Sequence, residues 1–427
     1  MSETRSVAKH VLVYGAGILL GKLASFIMLP VYTRYLTPAD YGVLELLSTT
    51  IDLIGIVAGM GLAAGVFKFH ADADTPREKD RVISTVALGG GVLTLLTALL
   101  GVLASPLLAR LVLRDPAGAV YFRLFFAIYL VQSLNGVGFM LLRLQQRSVL
   151  FVTLNAAKLV AALSLNIAFV VWLGMGVRGV LYSTLICSGA LSLLLTAYTF
   201  RQVGFGFSAA VMRRLYRFGS PVVFWGLGSF VLTFSDRYFL NYFGGSAQVG
   251  VYSLAYKFGF LMATFASMPV MQAWEPQRFV VARRPDGPAL LRDVFFYLSL
   301  ALGLAGLVIT LFVGDVLAVM AAPGFRAAAG VVPLILLAIV FQEWATYCNL
   351  GLFMAERTRL YGWSGVIGVV AVTALNLLLI PRYGMWGAAW ATLGAYALRF
   401  AAVYLFAQRA HPIDFGWGRV LRLAALL

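Results

Sequence analysis

The sequence predicts an all-α integral membrane protein with about twelve transmembrane helices in two six-helix lobes. Three observations predict this fold class. Of the 427 residues, 61% are hydrophobic and 12% are charged, whereas a soluble domain typically has roughly 25% charged residues. Apolar runs long enough to cross a bilayer recur along the whole chain. Two stretches of the chain also repeat each other at a shift of 210 residues.

The predicted spans are apolar runs of about 20 or more residues, the length at which an α-helix crosses the hydrocarbon core. The strict apolar and polar alternation of a membrane β-barrel is absent from them. The first run is interrupted by Lys22 and shows no small-residue cleavage site, so we expect a retained helix. The twelve predicted spans are 11–31, 41–66, 82–108, 120–142, 149–173, 177–200, 218–242, 248–273, 292–317, 328–354, 360–380 and 385–407.

The distribution of basic residues predicts how the chain is oriented. If the N-terminus is cytoplasmic, 21 of the 33 Lys and Arg residues lie on the cytoplasmic side, 8 lie outside and 4 lie within spans. The positive-inside rule therefore predicts that both termini are cytoplasmic. With six spans in each half, the two copies enter the membrane in the same direction and are related by a pseudo-twofold axis along the membrane normal. The net charge of +16 favours anionic lipid, and no soluble basic domain exists to bind nucleic acid.

The duplication also predicts the domain boundaries. We expect an N-terminal lobe at 1–207, a C-terminal lobe at 208–409, and a segment at 410–427 that is either a cytoplasmic tail or the start of a truncated further helix. The longest polar connections, at 67–81, 201–217 and 276–291, are too short for a folded soluble domain. Cys187 and Cys348 both fall within predicted spans, so no disulfide framework is predicted.

Two short motifs resemble enzyme sites but lack the context that such sites need. Residues 174–179 match GxGxxG, yet they join two membrane spans and follow no β-strand. Asp72 and Asp74 resemble the DxD of sugar transferases, but they lie in a loop of mixed charge that is expected to be solvated. The three histidines form no metal-ligand cluster. We therefore predict no catalytic residue, no metal and no cofactor.

Charged residues inside the spans are more informative, because each costs about 2.5 to 3.5 kcal/mol near the bilayer centre. Glu45 and Asp52 are seven residues apart and should share one face of a helix, about 10.5 Å apart along its axis. The acids within or near the ends of the spans are Glu45, Asp52, Asp236 and Glu343, and the cations within spans are Lys22, Lys158, Lys257 and Arg399.

The duplication separates shared structural residues from residues of one copy. Gln132 and Asn166 recur as Gln342 and Asn376, as interhelical hydrogen bonding in both lobes would require. The cations do not recur. Lys22, Lys158, Lys257 and Arg399 correspond to Gly226, Gly368, Thr49 and Gly189.

Packing common to both lobes therefore does not require these cations. They suit a phosphate or diphosphate group in a cleft of low dielectric constant. Snorkelling to the interface, or pairing with a nearby acid, is the alternative. The candidate substrate-binding residues are Lys22, Lys158, Lys257, Arg399, Arg34, Arg123 and Arg237.

Several motifs resemble polysaccharide-biosynthesis transporters of the MOP superfamily, the Wzx-type flippases. They are Leu29-Pro30-Val31-Tyr32-Thr33-Arg34-Tyr35-Leu36 with Asp40-Tyr41-Gly42, then Phe218-Gly219-Ser220-Pro221, Ser235-Asp236-Arg237-Tyr238 and Val249-Gly250-Val251-Tyr252-Ser253, and finally Asn376 with Pro381-Arg382-Tyr383-Gly384. The resemblance covers essentially the whole chain. It implies two lobes that form a V around a central cavity and work by alternating access.

The resemblance also implies a function in the bacterial inner membrane. The protein would move undecaprenyl-diphosphate-linked oligosaccharide to the outer leaflet for O-antigen, capsule or exopolysaccharide synthesis. Coupling to H⁺ or Na⁺ is implied, with Asp52, Glu45, Asp236 and Glu343 as candidates. A polysaccharide polymerase and chain-length machinery are implied partners. Members of the family often have fourteen spans, so the twelve predicted here depart from that pattern.

Four alternatives remain at this point. A multidrug/cation antiporter of the same superfamily would favour acidic residues in its cavity. A peptidoglycan lipid II flippase would share the diphosphate chemistry. A membrane-bound sugar polymerase or ligase would need a large external loop that the sequence lacks. A scaffold without transport would not account for unrepeated charges within spans.

Overall fold

The computed structural model describes residues 28–59 and 61–426, and they divide into two compact units. The first unit is Met1–Leu227 and the second is Gly228–Leu427. The predicted first span and Lys22 fall largely or wholly on residues 1–27, outside the described residues. The lobe boundary predicted at 207/208 separates the two sequence repeats, whereas these units are divided by packing, so that boundary stays a prediction.

The first unit is built from helices throughout its described part. They are α1 (Leu29–Tyr35), α2 (Pro38–Ala58), α3 (Leu62–Ala71), α4 (Pro76–Leu108), α5 (Ala119–Leu144), α6 (Ser148–Asn166), α7 (Gly176–Val203) and α8 (Ala209–Gly244), the last of which continues into the second unit.

The second unit is also helical. After α8 its helices are α9 (Ser246–Met262), α10 (Met268–Trp274), α11 (Arg278–Val281), α12 (Gly287–Met320), α13 (Ala328–Cys348), α14 (Leu350–Met354), α15 (Thr358–Ala410) and α16 (Trp417–Leu426).

Ten helical segments in the described part of the chain are long and apolar enough to cross a membrane. One of them, α15, covers two predicted spans, so the ten segments account for eleven of the twelve predictions. The prediction of an all-α multi-pass membrane protein is confirmed.

Gly384 divides α15 into two arms. A straight helix of 53 residues would be about 80 Å long, far more than the roughly 30 Å of a hydrocarbon core. Gly384 has φ 53° and ψ −130°, a backbone conformation that glycine adopts without steric cost. After it the arms pack together, since a Cβ on Gly394 would lie 3.0 Å from Leu375 Cδ1. These arms are the predicted spans 360–380 and 385–407.

Polar residues at two helix starts extend the helices beyond their apolar runs. Thr37 and Asp40 form a capping box at α2, in which the Asp40 carboxylate accepts the Thr37 N–H at 3.1 Å. Thr75 and Glu78 form the same arrangement at α4. Because these side chains satisfy N–H groups that lack helical partners, α4 begins six residues before the predicted span.

One predicted span is wrong in its extent. The run 41–66 was expected to be continuous, but α2 ends at Ala58 and a separate helix, α3, begins at Leu62. Gly61 lies between them with φ 65°, in the left-handed region that ends helices. A Cβ on Gly61 would also collide with the backbone of Gly219, so two features of the fold require glycine there.

The duplication is visible in the backbone. Gln146 and Glu356, which are 210 residues apart, both have positive φ, at 54° and 57°. The N–H groups that follow them make equivalent bonds at 2.9 Å, from Arg147 to the Leu142 carbonyl and from Arg357 to the Leu352 carbonyl. Gly174 and Gly384 repeat another positive φ at the same shift. The two copies therefore share their turns as well as their sequence.

The start of α8 packs within the first unit, which explains why the compact units divide at 227/228. Met212 and Leu215 are buried in a cluster with Leu62, Val66, Val82 and Val86. In the same region the Ser84 hydroxyl donates to the Gly206 carbonyl at 2.5 Å. The packing boundary therefore lies twenty residues after the boundary predicted from the repeats.

The segment after α15 docks on the second unit. The Trp417 ring lies 5.1 to 5.8 Å, between centroids, from the rings of Phe295, Trp344, Phe400 and Tyr404. Arg419 pairs with Asp293 at 2.8 Å on the surface. Trp417 therefore anchors the start of α16, and Val420 of the same helix is also buried.

Candidate functional site

Among the predicted substrate-binding residues, Arg399 is deeply buried and forms no ion pair with an acid in the described part of the chain. It lies on the second arm of α15 and its side chain is 5% exposed. Its guanidinium donates to Gln342 Oε1 at 2.5 Å and to the Tyr361 hydroxyl at 3.3 Å. Gly368, on the first arm, makes room for it: a Cβ there would lie 3.2 Å from Arg399 Cδ.

Arg278 is a second buried arginine of the same unit, and sequence reasoning missed it. Its side chain is 7% exposed, and it donates to Asn349 Oδ1 at 3.0 Å. Its guanidinium lies 5.6 Å from the centroid of the Phe353 ring. Burial lowers the pKa of Arg278, although Glu275 and Tyr361 act electrostatically in the opposite direction.

Tyr361 links the two arginines. It accepts a hydrogen bond from Arg399 and interacts electrostatically with Arg278, and its ring centroid lies 5.7 Å from that of Phe353. We call Arg278, Gln342, Asn349, Tyr361 and Arg399 the arginine cluster.

In the described part of the chain, the positive charges of the arginine cluster have no carboxylate partner, and some of its N–H donors have no acceptor. Neither guanidinium forms an ion pair with a carboxylate among the described residues. The Nε–H groups of Arg278 and Arg399 are both buried, and neither has an acceptor in that part of the chain. Leaving a buried charged donor unsatisfied is costly. The cluster is therefore suited to an oxyanion, which can accept several N–H bonds at once.

Asp236 and Arg237 form a buried ion pair in the same unit, which distinguishes Arg237 from the two arginines of the cluster. Their side chains are only 2% and 1% exposed, and Arg237 donates to Asp236 Oδ1 at 2.9 Å. The Tyr252 hydroxyl donates to Asp236 Oδ2 at 2.7 Å. The Arg237 guanidinium also lies 4.5 Å from the Tyr256 ring centroid. The charges of this pair are used inside the fold, so substrate binding by Arg237 and ion coupling by Asp236 stay predictions.

Glu343 is positioned by an irregular turn. Residues Ala263–Ser267 form a π-helical turn between α9 and α10, the type of distortion that often occurs at functional sites. Ser267, in that turn, donates to Glu343 Oε2 at 2.5 Å. Glu343 follows Gln342 of the arginine cluster in sequence. Lys257 lies half-buried on α9.

The first unit holds the remaining predicted residues, and the structure leaves them dispersed. Lys158 is half-buried on α6 and interacts electrostatically with the Cys187 thiol of α7. Glu45 is half-buried and Asp52 exposed on α2, where their carboxylates repel each other. Arg34 and Arg123 are exposed.

The motifs that resemble enzyme sites have ordinary structural roles. Gly174 and Gly176, with φ of 63° and 55°, form the turn that leads into α7. Asp72 and Asp74 are exposed and, with Arg81 among other residues, line a small cavity of about 270 Å³. No group of three or more metal-ligating side chains occurs in the described part of the chain.

Solved structures share the fold of this chain over nearly its full length. An inward-facing multidrug resistance MATE family transporter of the MOP superfamily matches with a TM-score of 0.71 and 16% identity, covering 97% of this chain and 99% of the other. The lipid II flippase MurJ in an inward closed conformation matches with a TM-score of 0.74 and 12% identity, covering 98% and 90%. An outward-facing MATE transporter of the MOP superfamily has a TM-score of 0.59 and 14% identity, covering 98% and 96%.

A family model settles the classification. No curated protein sequence matches the chain, but the model described as polysaccharide biosynthesis protein matches residues 7–278, well over half of the chain. Together with the shared fold, this match confirms the predicted resemblance to polysaccharide-biosynthesis proteins. The chain belongs to the polysaccharide biosynthesis protein family.

Proposed function

We propose that this protein moves an undecaprenyl-diphosphate-linked oligosaccharide from the inner to the outer leaflet of the bacterial inner membrane by alternating access. The observation that carries the proposal is the arginine cluster: two buried guanidiniums that share Tyr361, have no carboxylate partner among the described residues, and each keep an Nε–H without an acceptor there. The family match supports a substrate of polysaccharide synthesis.

A diphosphate matches the chemistry of the cluster. Its oxygens accept bidentate hydrogen bonds from guanidinium groups, and such charge-assisted bonds are roughly twice as strong as neutral ones. Because the cluster is buried, screening by salt is weak. Gln342 and Asn349 already accept from the arginines and so hold the guanidinium planes in place. Lys22, Lys158, Lys257, Arg34 and Arg123 are proposed to contribute further positive charge along the substrate's route.

Ion coupling is proposed at the carboxylates. Glu343 is the best supported of them, because it is largely buried within a span and accepts from Ser267 in the π-helical turn. A proton or Na⁺ taken up there would change the charge on the helix that also carries Gln342 of the cluster. Asp52, Glu45 and Asp236 are the other candidates. We also propose cytoplasmic termini, and a polysaccharide polymerase and chain-length machinery as partners.

Two other functions are favoured by specific likenesses. The fold shared with MATE transporters favours a multidrug or cation antiporter, although a cluster of cations would repel cationic drugs. The fold shared with MurJ favours lipid II, whose diphosphate the arginine cluster would bind equally well. The sugars of the substrate would distinguish lipid II from the proposed oligosaccharide.

The test uses purified protein in proteoliposomes that contain a fluorescent undecaprenyl-diphosphate oligosaccharide, with quenching from outside reporting its movement. We expect Arg278→Gln and Arg399→Gln each to slow movement at least about ten-fold, the loss expected when a charge-assisted contact is removed. Arg359→Gln, at an exposed arginine of the same unit, is the control and should move the lipid normally.

Normal movement in both cluster variants would refute the proposal. Parallel vesicles with lipid II, and an ethidium efflux assay in cells, test the two alternatives. Faster movement of lipid II than of the oligosaccharide substrate, or drug efflux that survives loss of the arginines, would favour the corresponding alternative.

A further inference from the structure

Glycines from three helices line a cavity of about 500 Å³ in the first unit. The cavity lies among α2, α3, α4 and α5. Its volume falls within the roughly 300 to 1,000 Å³ that is usual for small-molecule sites. The glycines in its wall are Gly55, Gly59, Gly90, Gly91 and Gly136.

Four of these glycines do not bring helices into close contact, as small residues in membrane helices usually do; the fifth is Gly59, where an added Cβ would lie 2.7 Å from the Gly55 carbonyl oxygen. A Cβ on Gly136 would have nothing within 4 Å. At Gly90 and Gly91 the nearest side-chain atoms would be 3.7 and 3.6 Å from an added Cβ, which is ordinary van der Waals contact. Larger residues would therefore fit the backbone at these positions, and the effect of glycine is to keep the cavity wide.

The chemistry of the wall is that of a lipid site with one charged end. Near the middle of the spans, the Thr94 and Ser133 hydroxyls bond each other at 2.8 Å, and Tyr129 lines the same wall. The two hydroxyls therefore satisfy each other and need no polar ligand. Among the described lining residues, the one that carries a charge is Arg143, which lies near the end of α5.

The cavity is elongated along α5. Tyr129 and Arg143 are fourteen residues apart on this helix, which corresponds to about 21 Å of its axis. That is roughly two thirds of the thickness of a hydrocarbon core. The cavity therefore runs from mid-span to the helix end that carries the cation, which matches a lipid chain with an anionic head.

We propose that this cavity binds the polyprenyl chain of a polyprenyl phosphate, with its first isoprene units along the glycine wall and its phosphate at Arg143. The proposal rests on the proposed function, because that function supplies the polyprenyl carrier. An isoprenoid carries methyl branches and needs a wider channel than a linear acyl chain, which Gly90, Gly91 and Gly136 provide. Because the first isoprene unit is bonded directly to phosphate, the phosphate of one lipid molecule would occupy either Arg143 or the arginine cluster at a time.

The experiment photolabels the purified full-length protein in nanodiscs with a polyprenyl monophosphate that carries a photoreactive group in its first isoprene units. We expect label in peptides of α4 and α5. Gly136→Leu should reduce labelling about ten-fold, because a leucine side chain displaces apolar contacts worth roughly two methylene groups. Gly91→Leu is a second filling variant in case the first does not fold.

Matched control variants distinguish the effect of filling the cavity from the effect of adding a leucine or removing an arginine elsewhere in the protein. Gly314 is an exposed glycine of α12 where an added Cβ would also meet nothing within 4 Å. The control variant Gly314→Leu should therefore be labelled normally. Arg143→Gln should weaken labelling, whereas Arg213→Gln, at an exposed arginine outside the cavity, should not.

Label in other helices, or labelling unchanged in both filling variants, would overturn the proposal. Equal competition by phosphatidylglycerol would also overturn it, since the cavity would then take any anionic lipid. The readout requires no transport. If the arginine variants move the lipid normally, the proposed function is refuted but the labelling result is unaffected. If lipid movement depends on the arginines but the cavity is not labelled, only the proposal for the cavity is rejected.

Discussion

Arg237 and Arg399 are two buried arginines of one unit with opposite surroundings, and replacing each by methionine should have opposite consequences. Arg237 pairs with Asp236 at 2.9 Å, so its removal leaves a buried carboxylate without its counter-charge. Breaking a buried ion pair in this way costs about 3 to 5 kcal/mol. We therefore expect Arg237→Met to lower the free energy of unfolding by about 4 kcal/mol.

Arg399→Met removes a charge whose hydrogen-bond partners are neutral. It loses the bonds to Gln342 and Tyr361, at about 1.5 to 3 kcal/mol each for a charged donor. It also removes the desolvation cost of a buried ion, which is several kcal/mol. These effects nearly cancel, so the free energy of unfolding should change by no more than about 1 kcal/mol. Movement of the lipid-linked glycan should nevertheless be lost.

The measurement is urea unfolding in mixed micelles, followed by tryptophan fluorescence, combined with the proteoliposome assay. Arg359→Met, at an exposed position, serves as the reference for both. If Arg399→Met destabilises the protein as much as Arg237→Met does, Arg399 is a structural residue and the argument from its unsatisfied donor is wrong. A stable, inactive Arg399→Met protein supports a binding role.

Three further predictions concern neighbours of the cluster. Glu343→Gln keeps an acceptor for Ser267, so we expect unchanged stability but loss of the dependence of transport on an ion gradient, measured by imposing proton and Na⁺ gradients; full dependence would exclude Glu343. Tyr361→Phe removes an acceptor of Arg399 and should raise KM about ten-fold with little change in kcat, in keeping with one hydrogen bond to a charged group; an unchanged KM would remove Tyr361 from the site. Trp417→Ala should undock α16 at a cost of about 3 kcal/mol, seen as faster proteolysis at residues 411–426 while the rest of the chain stays intact; unchanged cleavage would show that the aromatic contacts do not hold the segment.

Hydropathy predicted most of the helices because bilayer thickness fixes how long an apolar run must be. It could not predict the break at Gly61, which depends on the approach of Gly219 more than 150 residues away in sequence. The internal comparison pointed to Arg399 as an unrepeated cation, and the structure buries it.

Arg278 could not be found from the local sequence. It lies among other basic residues of a polar connection, and its burial depends on Asn349 and Phe353, more than seventy residues later. The pairing of Asp236 with Arg237 could not be predicted either, because successive helix residues do not ordinarily face each other. The long arginine side chain bends back to its neighbour, and the fold surrounds both.

The unrepeated cations reveal a complementary exchange between the two copies. In the second unit Gly368 faces Arg399 across two packed arms, and the equivalent positions in the first unit are Lys158 and Gly189. Each copy therefore has one cation and one glycine at these aligned positions, but the helix that carries the cation differs, and an added Cβ on Gly189 would meet nothing within 4 Å. A long side chain opposite glycine conserves volume, and a single charge avoids repulsion between like charges.

This exchange predicts coupling between the two positions of the first unit. If the first unit packs as the second does, Gly189→Arg alone puts a second cation near Lys158 and should lower both stability and lipid movement. The double variant Lys158→Gly with Gly189→Arg reproduces the arrangement of the second unit and should recover at least about 1 kcal/mol of that loss, an ordinary coupling energy for residues in contact. Urea unfolding of the two single variants and the double variant measures it. Additive effects would mean that the interface does not hold one cation in each copy, and that the unrepeated charges arose independently.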